Sequence, residues 1–584
     1  MAERSEGPLI VQSDRTVLLE TANPQYEEAR DSISRFAELE KSPEHIHTYR
    51  LSPLSLWNAA AAGLGAAQIL DALERLSKYP VPQNVRFDIE DIVGRYGKLR
   101  LTREEDGRLV LRSEEAWLLE EISRLEAVKP CLEGAIDGFS LTVKPGVRGA
   151  LKQALIKAGF PVEDLAGYVD GAPLALRLRP QMADGDPFAL RHYQQEAVRL
   201  FHADGSNRGG SGVIVLPCGA GKTIVGLGVM AKFETQTLIL TANVSALRQW
   251  RDEILDKTDL TADQVGEYSG HEKEIRPVTL TTYQLLTYRR GKSEEFLHFK
   301  LFAERDWGLI IYDEVHLLPA PVFRATAELQ ARRRLGLTAT LVREDGGEDD
   351  VFTLIGPKRY DLPWKDLERQ GWIATARCTE IRIPLSPESR RQYAVADARA
   401  KFRIASTNPL KRGLLAELLG EHREDKVLVI GQYIDQLEEI AAETRAPIIT
   451  GKTPQAERDA LYERFRGGDL NLLIVSKVSN FAIDLPDANV AIQVSGTFGS
   501  RQEEAQRLGR ILRPKAGANQ ARFYALVTRD SRDQEFAQNR QRFLTEQGYQ
   551  YEIRSWTPPV AGEPPAAEGA GNGEAPERRE LGTG

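Results

Sequence analysis

Short runs of Val, Ile and Leu recur along the chain past Asp184: GVIVLP, TLILTA, VTLTTY, GLIIYDE and RLGLTAT. They return after Lys411 as KVLVIGQ, APIITG, LNLLIVS, NVAIQVS and RFYALV. Each run is apolar at consecutive positions rather than at every second one, which is how strands read when helices cover both faces of a parallel sheet. Amphipathic helical stretches separate the runs, so the rhythm β, α, β, α is completed twice. It predicts two successive α/β lobes.

Upstream the pattern is different. Pro8 to Tyr96 reads as mostly helical, with SLWNAAAAGLGAAQILDALERLSKY placing apolar residues at helical spacing around Gly63 and Gly65. KLRLTREEDGRLVLRS alternates on both sides of Asp106-Gly107, which predicts a hairpin closed by a two-residue turn. Helices followed by a hairpin suit either a winged helix that touches DNA or a plain interaction module. Ser113 to about Arg179 reads as helix, strand (FSLTV), helix (VRGALKQALIKAG) and an irregular acidic segment, a small α+β unit. From Pro558 the chain is Pro, Gly, Ala and Glu with almost nothing to bury, and disorder is expected there.

These shifts divide the chain into an N-terminal helical unit with hairpin over 1–112, a small α+β unit over 113–183 and a first lobe over 184–385. A basic insert over 386–412, a second lobe over 413–556 and a tail over 557–584 complete it. At 584 residues, three or four compact units are in any case expected. Hydrophobic residues at 41% and charged residues at 28% suit water-soluble domains. No leader-like segment opens the chain, no apolar run is long enough to cross a membrane, and Cys131, Cys218 and Cys378 are widely spaced. A cytoplasmic protein with no membrane partner is expected. The net charge of −8 means that any basic track for a polyanion must be local.

The chemistry concentrates in the lobes. GVIVLP runs into CGAGKT and then an apolar helix, so Pro217, Cys218, Gly219, Ala220, Gly221, Lys222 and Thr223 form a phosphate-loop candidate. Its glycines let backbone N–H groups curl around a phosphate, Lys222 reaches the β and γ phosphates of ATP, and the Thr223 hydroxyl is offered to Mg²⁺. The strict pattern would have glycine where Leu216 stands. GLIIYDEVH then sets Asp313 to hold Mg²⁺, Glu314 to orient and deprotonate the attacking water, and His316 to sense the nucleotide across the cleft. Thr338 and Thr340 of LTAT are small hydroxyls at a strand end, suited to linking the nucleotide site to a second face. SRQEEAQRLGRILRPK spaces Gln506, Arg510 and Arg513 on one helical face, where the guanidinium groups can act as arginine fingers.

Taken in order, LRHYQ, LPCGAGKT, DEVH, LTAT, VRED, SKVSNFAIDLP and QRLGRILRPK resemble the XPB family of superfamily 2 DNA helicases, in its bacterial form. The resemblance implies two tandem RecA-like parallel-sheet lobes that hydrolyse ATP with Mg²⁺ between them and move 3′ to 5′ along DNA. It implies that Arg191 and Gln194 read the adenine, and that Arg343, Glu344 and Asp345 separate strands. It also implies that Asp484 couples hydrolysis to DNA, that 113–183 is a damage-recognition-like domain and that 386–412 is a thumb. Eukaryotic members tend to have Gly-Asp where this chain has Ser479 and Asn480.

The insert carries Arg390, Arg391, Arg399, Lys401, Arg403, Lys411 and Arg412 against Glu388 and Asp397, with Tyr393 and Phe402 interleaved. Arg399, Lys401, Phe402 and Arg403 are candidates for phosphate contact and base stacking; a basic amphipathic helix packed on a lobe is the other reading. The expected function is an ATP-dependent DNA helicase of XPB type acting in repair on duplex or forked DNA. A translocase driving a partner nuclease and an ATP-switched DNA scaffold are the alternatives.

Overall fold

Strands made of consecutive apolar residues have no face to give to water, and both large sheets of the computed structural model are accordingly covered on both sides. Every residue of Ser211–Val215, Thr237–Thr241 and Val427–Gly431 is buried. The structure describes residues 7–41, 45–183, 185–217, 219–289, 297–319, 322, 326, 332–339, 348–362, 367, 370, 375–476, 488–496, 520–546 and 550–558.

The first large sheet runs in the order Val265–Tyr268, Val278–Thr282, Thr237–Thr241, Leu309–Asp313, Arg333–Thr338, Ser211–Val215, Lys358–Asp361. The second runs Ile448–Ile449, Leu472–Ser476, Val427–Gly431, Val490–Gln493, Gln520–Thr528, Thr375–Ile383, Gln550–Ser555. Every pairing in both sheets is parallel. In the first sheet this order brings together the carboxyl ends of Leu309–Asp313, Arg333–Thr338 and Ser211–Val215. That edge is where open α/β sheets bind ligands.

Thr375–Ile383 departs from the expected partition. It pairs with Gln520–Thr528 and Gln550–Ser555, so the second sheet claims a strand that the sequence boundary at 385 gives to the first lobe. TARCTEIRI interleaves polar and apolar residues and lacks the apolar run that marks its neighbours. The helices Pro387–Val395 and Ala398–Ser406 therefore leave and rejoin a single sheet.

The N-terminal region is less helical than its spacing suggests. Leu9–Val11, Thr16–Glu20, Ile46–Arg50 and Glu38–Lys41 form an antiparallel sheet in that order. The helices Pro53–Ala61, Ala66–Leu76 and Gln83–Arg95 accompany it. The first of these is capped by Ser52, whose hydroxyl accepts the Ser55 N–H at 3.0 Å, and the break at Gly63 takes a positive φ.

The hairpin Leu99–Arg103/Leu109–Arg112 belongs with the strands C-terminal to it. It shares a five-stranded sheet with Leu132–Asp137, Ser140–Val143 and Val162–Asp164, across the expected boundary at 112. Its turn is also longer than expected. Glu104 N–H bonds Arg108 O and Gly107 N–H bonds Glu104 O, both at 2.9 Å, so Glu105, Asp106 and a left-handed Gly107 make a three-residue loop.

This α+β unit is fastened to the first lobe by buried charge. Arg148 and Lys152 donate to Asp164 at 2.7 and 3.1 Å, and Arg334, from the Arg333–Thr338 strand, lies over the Tyr168 ring at 5.6 Å. Burial alone would raise the Asp164 carboxyl, but Lys152 and Arg148 hold it well below the usual range; burial pushes Lys152 down to about 8. Among the described residues no helix is long and apolar enough to cross a membrane.

A second buried pair fixes the expected insert to the second lobe. Lys411 donates to Asp533 at 2.8 Å and to the Val494 carbonyl at 3.0 Å, with both charged side chains 1% exposed. Removing one partner of such a pair typically costs about 3–5 kcal/mol, because the other charge stays buried. Lys411→Met should lower the unfolding free energy of the second lobe by that order, read as a fall in its urea midpoint, and adding Asp533→Asn should recover a substantial part. An unchanged midpoint in the single variant would mean that the pair is not buried in solution.

Candidate nucleotide site

The site grows from the carboxyl end of Ser211–Val215. After Leu216 and Pro217 the backbone turns through left-handed Gly219 (φ 83°) and Gly221 (φ 77°) into the helix Lys222–Phe233. At φ 77° any side chain on residue 221 is strained, and its Cβ would also displace Gln194 Nε2, 2.6 Å away, so glycine is favoured there. Tyr193 OH and Gln194 Nε2 both donate to the Ala220 carbonyl, at 2.8 and 3.1 Å. Gln194 Oε1 in turn accepts the Arg191 N–H at 2.9 Å, which caps the helix His192–His202. Arg191 and Gln194 thus brace the loop from outside.

The neighbouring strand ends supply the rest. Lys222 Nζ lies 2.8 Å from Glu314 Oε1, with the two side chains 13% and 15% exposed. Glu314 has φ 49°, a strained value for a residue with a Cβ, and it turns the strand Leu309–Asp313 into the 3₁₀ segment Val315–Leu317. That turn brings His316 Nδ1 to 3.5 Å from Glu314 Oε2 and 2.5 Å from Thr338 Oγ1. The Thr338 carbonyl accepts the Leu216 N–H at 2.9 Å, so the contacts close a ring around the loop.

Asp313 is held differently. Trp250 Nε1 donates to its Oδ2 at 3.0 Å and Tyr283 OH donates to its carbonyl at 2.8 Å. Burial and then the charge of Glu314 push the Asp313 carboxyl up to about 6. Burial works in the same direction on Glu314, but the charges of Lys222 and His316 outweigh it and leave that carboxyl below the usual range.

The geometry fits a nucleotide and a hard cation. Two half-buried carboxylates and the half-buried Thr223 beside a glycine cradle are an oxygen donor set suited to Mg²⁺ shared with phosphates. Trp250 and Tyr283 belong to none of the catalytic motifs, and Tyr193 lies within LRHYQ without being among the candidate site residues. The one local trace is Gly226, where an added Cβ would lie 2.3 Å from the Trp250 ring.

Of the other candidates, Cys218, Thr340, Arg343, Glu344, Asp345, Asp484, Gln506, Arg510 and Arg513 lie outside the described residues. In the basic segment, Phe402 is 1% exposed and packs edge-on against Phe536, with ring centres 5.0 Å apart. It offers no face to a base in this arrangement, because the helix Ala398–Ser406 turns Phe402, Ala405 and Ser406 inward. Arg399 is exposed, Lys401 lies 5.6 Å above the Tyr393 ring, and Arg403 pairs with Asp435 at 2.5 Å.

Two parallel-sheet lobes, the first with a phosphate cradle, a lysine and paired carboxylates at its strand ends, define a nucleotide-driven motor of the helicase class. The model of the ERCC3/RAD25/XPB C-terminal helicase matches residues 367–563. Those of a helicase conserved C-terminal domain and of the type III restriction enzyme res subunit match 9–137 and 187–343. DNA 3′-5′ helicase XPB of Kineococcus radiotolerans is 56% identical over 94% of this chain and 96% of its own. Its counterpart in Mycobacterium tuberculosis is 55% identical over 94% and 98%. The general transcription and DNA repair factor IIH helicase/translocase subunit XPB of Drosophila melanogaster is 32% identical over 94% and 78%. The chain belongs to the XPB family.

The Lys222–Glu314 contact separates two roles that one assay pair distinguishes. Lys222→Ala removes the charge expected to meet the phosphates, so turnover should be abolished and nucleotide affinity should fall. Glu314→Gln keeps shape and loses the expected base, so labelled ATP should still bind while hydrolysis slows by about 10²-fold or more. Loss of binding in Glu314→Gln would assign that residue to the architecture of the loop instead.

Proposed function

We propose that this chain is an ATP-dependent DNA helicase of XPB type that translocates 3′ to 5′ and serves DNA repair. The observation that carries the reading is the closed ring Lys222, Glu314, His316, Thr338 and Leu216, which ties the hydrolytic carboxylate to the strand leading toward Arg343, Glu344 and Asp345.

ATP enters as substrate, with its phosphates over Gly219 to Thr223. Lys222 turns from Glu314 to the β and γ phosphates. Glu314, released, takes a proton from the attacking water as the terminal P–O bond breaks, leaving ADP and phosphate. Mg²⁺, held by Thr223 and Asp313 when bound, offsets the phosphate charge. His316 registers the movement of Glu314 and passes it to Thr338. Gln506, Arg510 and Arg513 of the second lobe complete the site on closure, and Asp484 couples it to DNA.

Strand displacement on 3′-tailed, 5′-tailed and blunt duplexes, run beside DNA-stimulated ATPase, tests activity and polarity together. The 3′-tailed substrate should open preferentially. ATPase with no displacement on any of the three would leave a translocase, the second activity in the name of the Drosophila relative.

The fingers and the strand separator give separable outcomes. Arg510→Ala should cut DNA-stimulated hydrolysis by about 10³-fold or more; a normal rate would show that the second lobe is not catalytic. Replacing Arg343, Glu344 and Asp345 together with alanine should preserve stimulated ATPase while displacement falls sharply. A parallel fall of both activities would deny these residues a strand-separating role.

A further inference from the structure

The α+β unit carries a surface that fits a protein better than it fits DNA. Trp117, Ile136 and Phe139 are 59%, 50% and 53% exposed, in a chain whose large apolar side chains are mostly buried. The segments that carry them are adjacent. The turn Asp137-Gly138-Phe139 sits on the start of the helix Ala116–Ser123, where Ser113 N–H bonds Phe139 O at 3.2 Å. An added Cβ at Gly138 would lie 4.0 Å from Ala116 Cβ. Half-exposed side chains of this size leave about 100 Å² each. Together they expose roughly 300 Å², the size of the largest apolar patch on many monomers, which is often functional.

The strand Leu132–Asp137 is an edge of its sheet, exposed from Glu133 onward. Its register slips between Leu132 and Gly134 and again between Ala135 and Asp137, which leaves Glu133 and Ile136 as bulge residues. Bulges of this kind blunt the addition of another strand and re-aim side chains outward. Recognition here falls to the side chains.

Charge selects the occupant. Glu114, Glu120, Glu121, Glu126, Glu133 and Asp137 are all exposed in the segment that carries the patch. Arg100 offsets Glu114 at 3.1 Å and Arg124 pairs with Glu120, which leaves Glu121, Glu126, Glu133 and Asp137 against Lys129 and Lys144. A polyanion meets like-charge repulsion over such a rim, whereas a cationic partner gains from it. We propose that Trp117, Ile136 and Phe139 form a docking site for a partner protein, by way of a segment that sets apolar anchors among Lys and Arg. Tryptophan is among the residues most enriched at such hot spots, and the surrounding charge sets the choice of partner.

The test uses the full chain and fluorescein-labelled short peptides of alternating Lys-Leu and alternating Glu-Leu, read by anisotropy, beside single-stranded and duplex DNA. The Lys-Leu peptide should bind and the Glu-Leu peptide should not, and added salt should weaken binding. Trp117→Ala/Phe139→Ala should reduce peptide affinity by at least about tenfold, as loss of paired anchors does. Glu121→Lys/Glu133→Lys, which keeps the anchors, should reverse the preference between peptides. Stimulated ATPase should stay at the parental level in both variants, which also reports that they fold, and DNA affinity should stay there in the aromatic variant. Unchanged peptide affinity in both variants would overturn the docking site. A fall in DNA affinity with the aromatic pair removed would overturn it in favour of a nucleic-acid contact.

Discussion

The ammonium of Lys222 and the carboxylate of Glu314, 2.8 Å apart and almost shielded from water, are the contact on which the site depends. A buried ion pair is a poor source of stability, since desolvation consumes most of the attraction. Its value lies in exchange. In the proposed mechanism each partner is the counter-charge of the other until a phosphate takes Lys222, and Glu314 then becomes available to water. On that reading the contact that keeps the carboxylate ionised also keeps it occupied, and hydrolysis is tied to the arrival of substrate.

Backbone geometry makes this exchange consequential for the rest of the lobe. Glu314 sits at φ 49°, and its strain is sustained because Asp313 is pinned by Trp250 and Tyr283 on one side while His316 is held by Thr338 on the other. In the proposed coupling a movement of the Glu314 side chain passes to His316, then to the end of Arg333–Thr338, the strand whose other end carries Arg334 against Tyr168 of the α+β unit. One strand therefore touches the hydrolytic centre at its carboxyl end and the accessory unit at its start.

What the sequence disclosed depends on how local each feature is. The phosphate loop and the Asp-Glu-Val-His turn are continuous segments whose chemistry and backbone demands are written in adjacent residues, and both were legible. Trp250 and Tyr283 reach Asp313 from other elements, and nothing near them in the chain points there. Thr375–Ile383 was hidden for a related reason: its membership of the second sheet depends on partners far along the chain at 520–528 and 550–555. Phe402 illustrates the opposite error. Interleaved aromatic and basic residues suit nucleic acid by composition, but a helix sorts them by face, and Phe402 went inward while Arg399 stayed in solvent.

An acidic chain that works on a polyanion has to segregate its charge. The described residues do so between units. Arg390, Arg391 and Arg399 are exposed on the helices that leave the second sheet, whereas the α+β unit presents Glu121, Glu126, Glu133 and Asp137 around an apolar patch. On the expectation that a duplex follows the basic helices, it would be repelled from the acidic patch, and screening at physiological salt confines both effects to about 8 Å. Charge of opposite sign on the two units suits one motor to hold DNA and the proposed protein partner at once, because neither surface would attract the other's ligand.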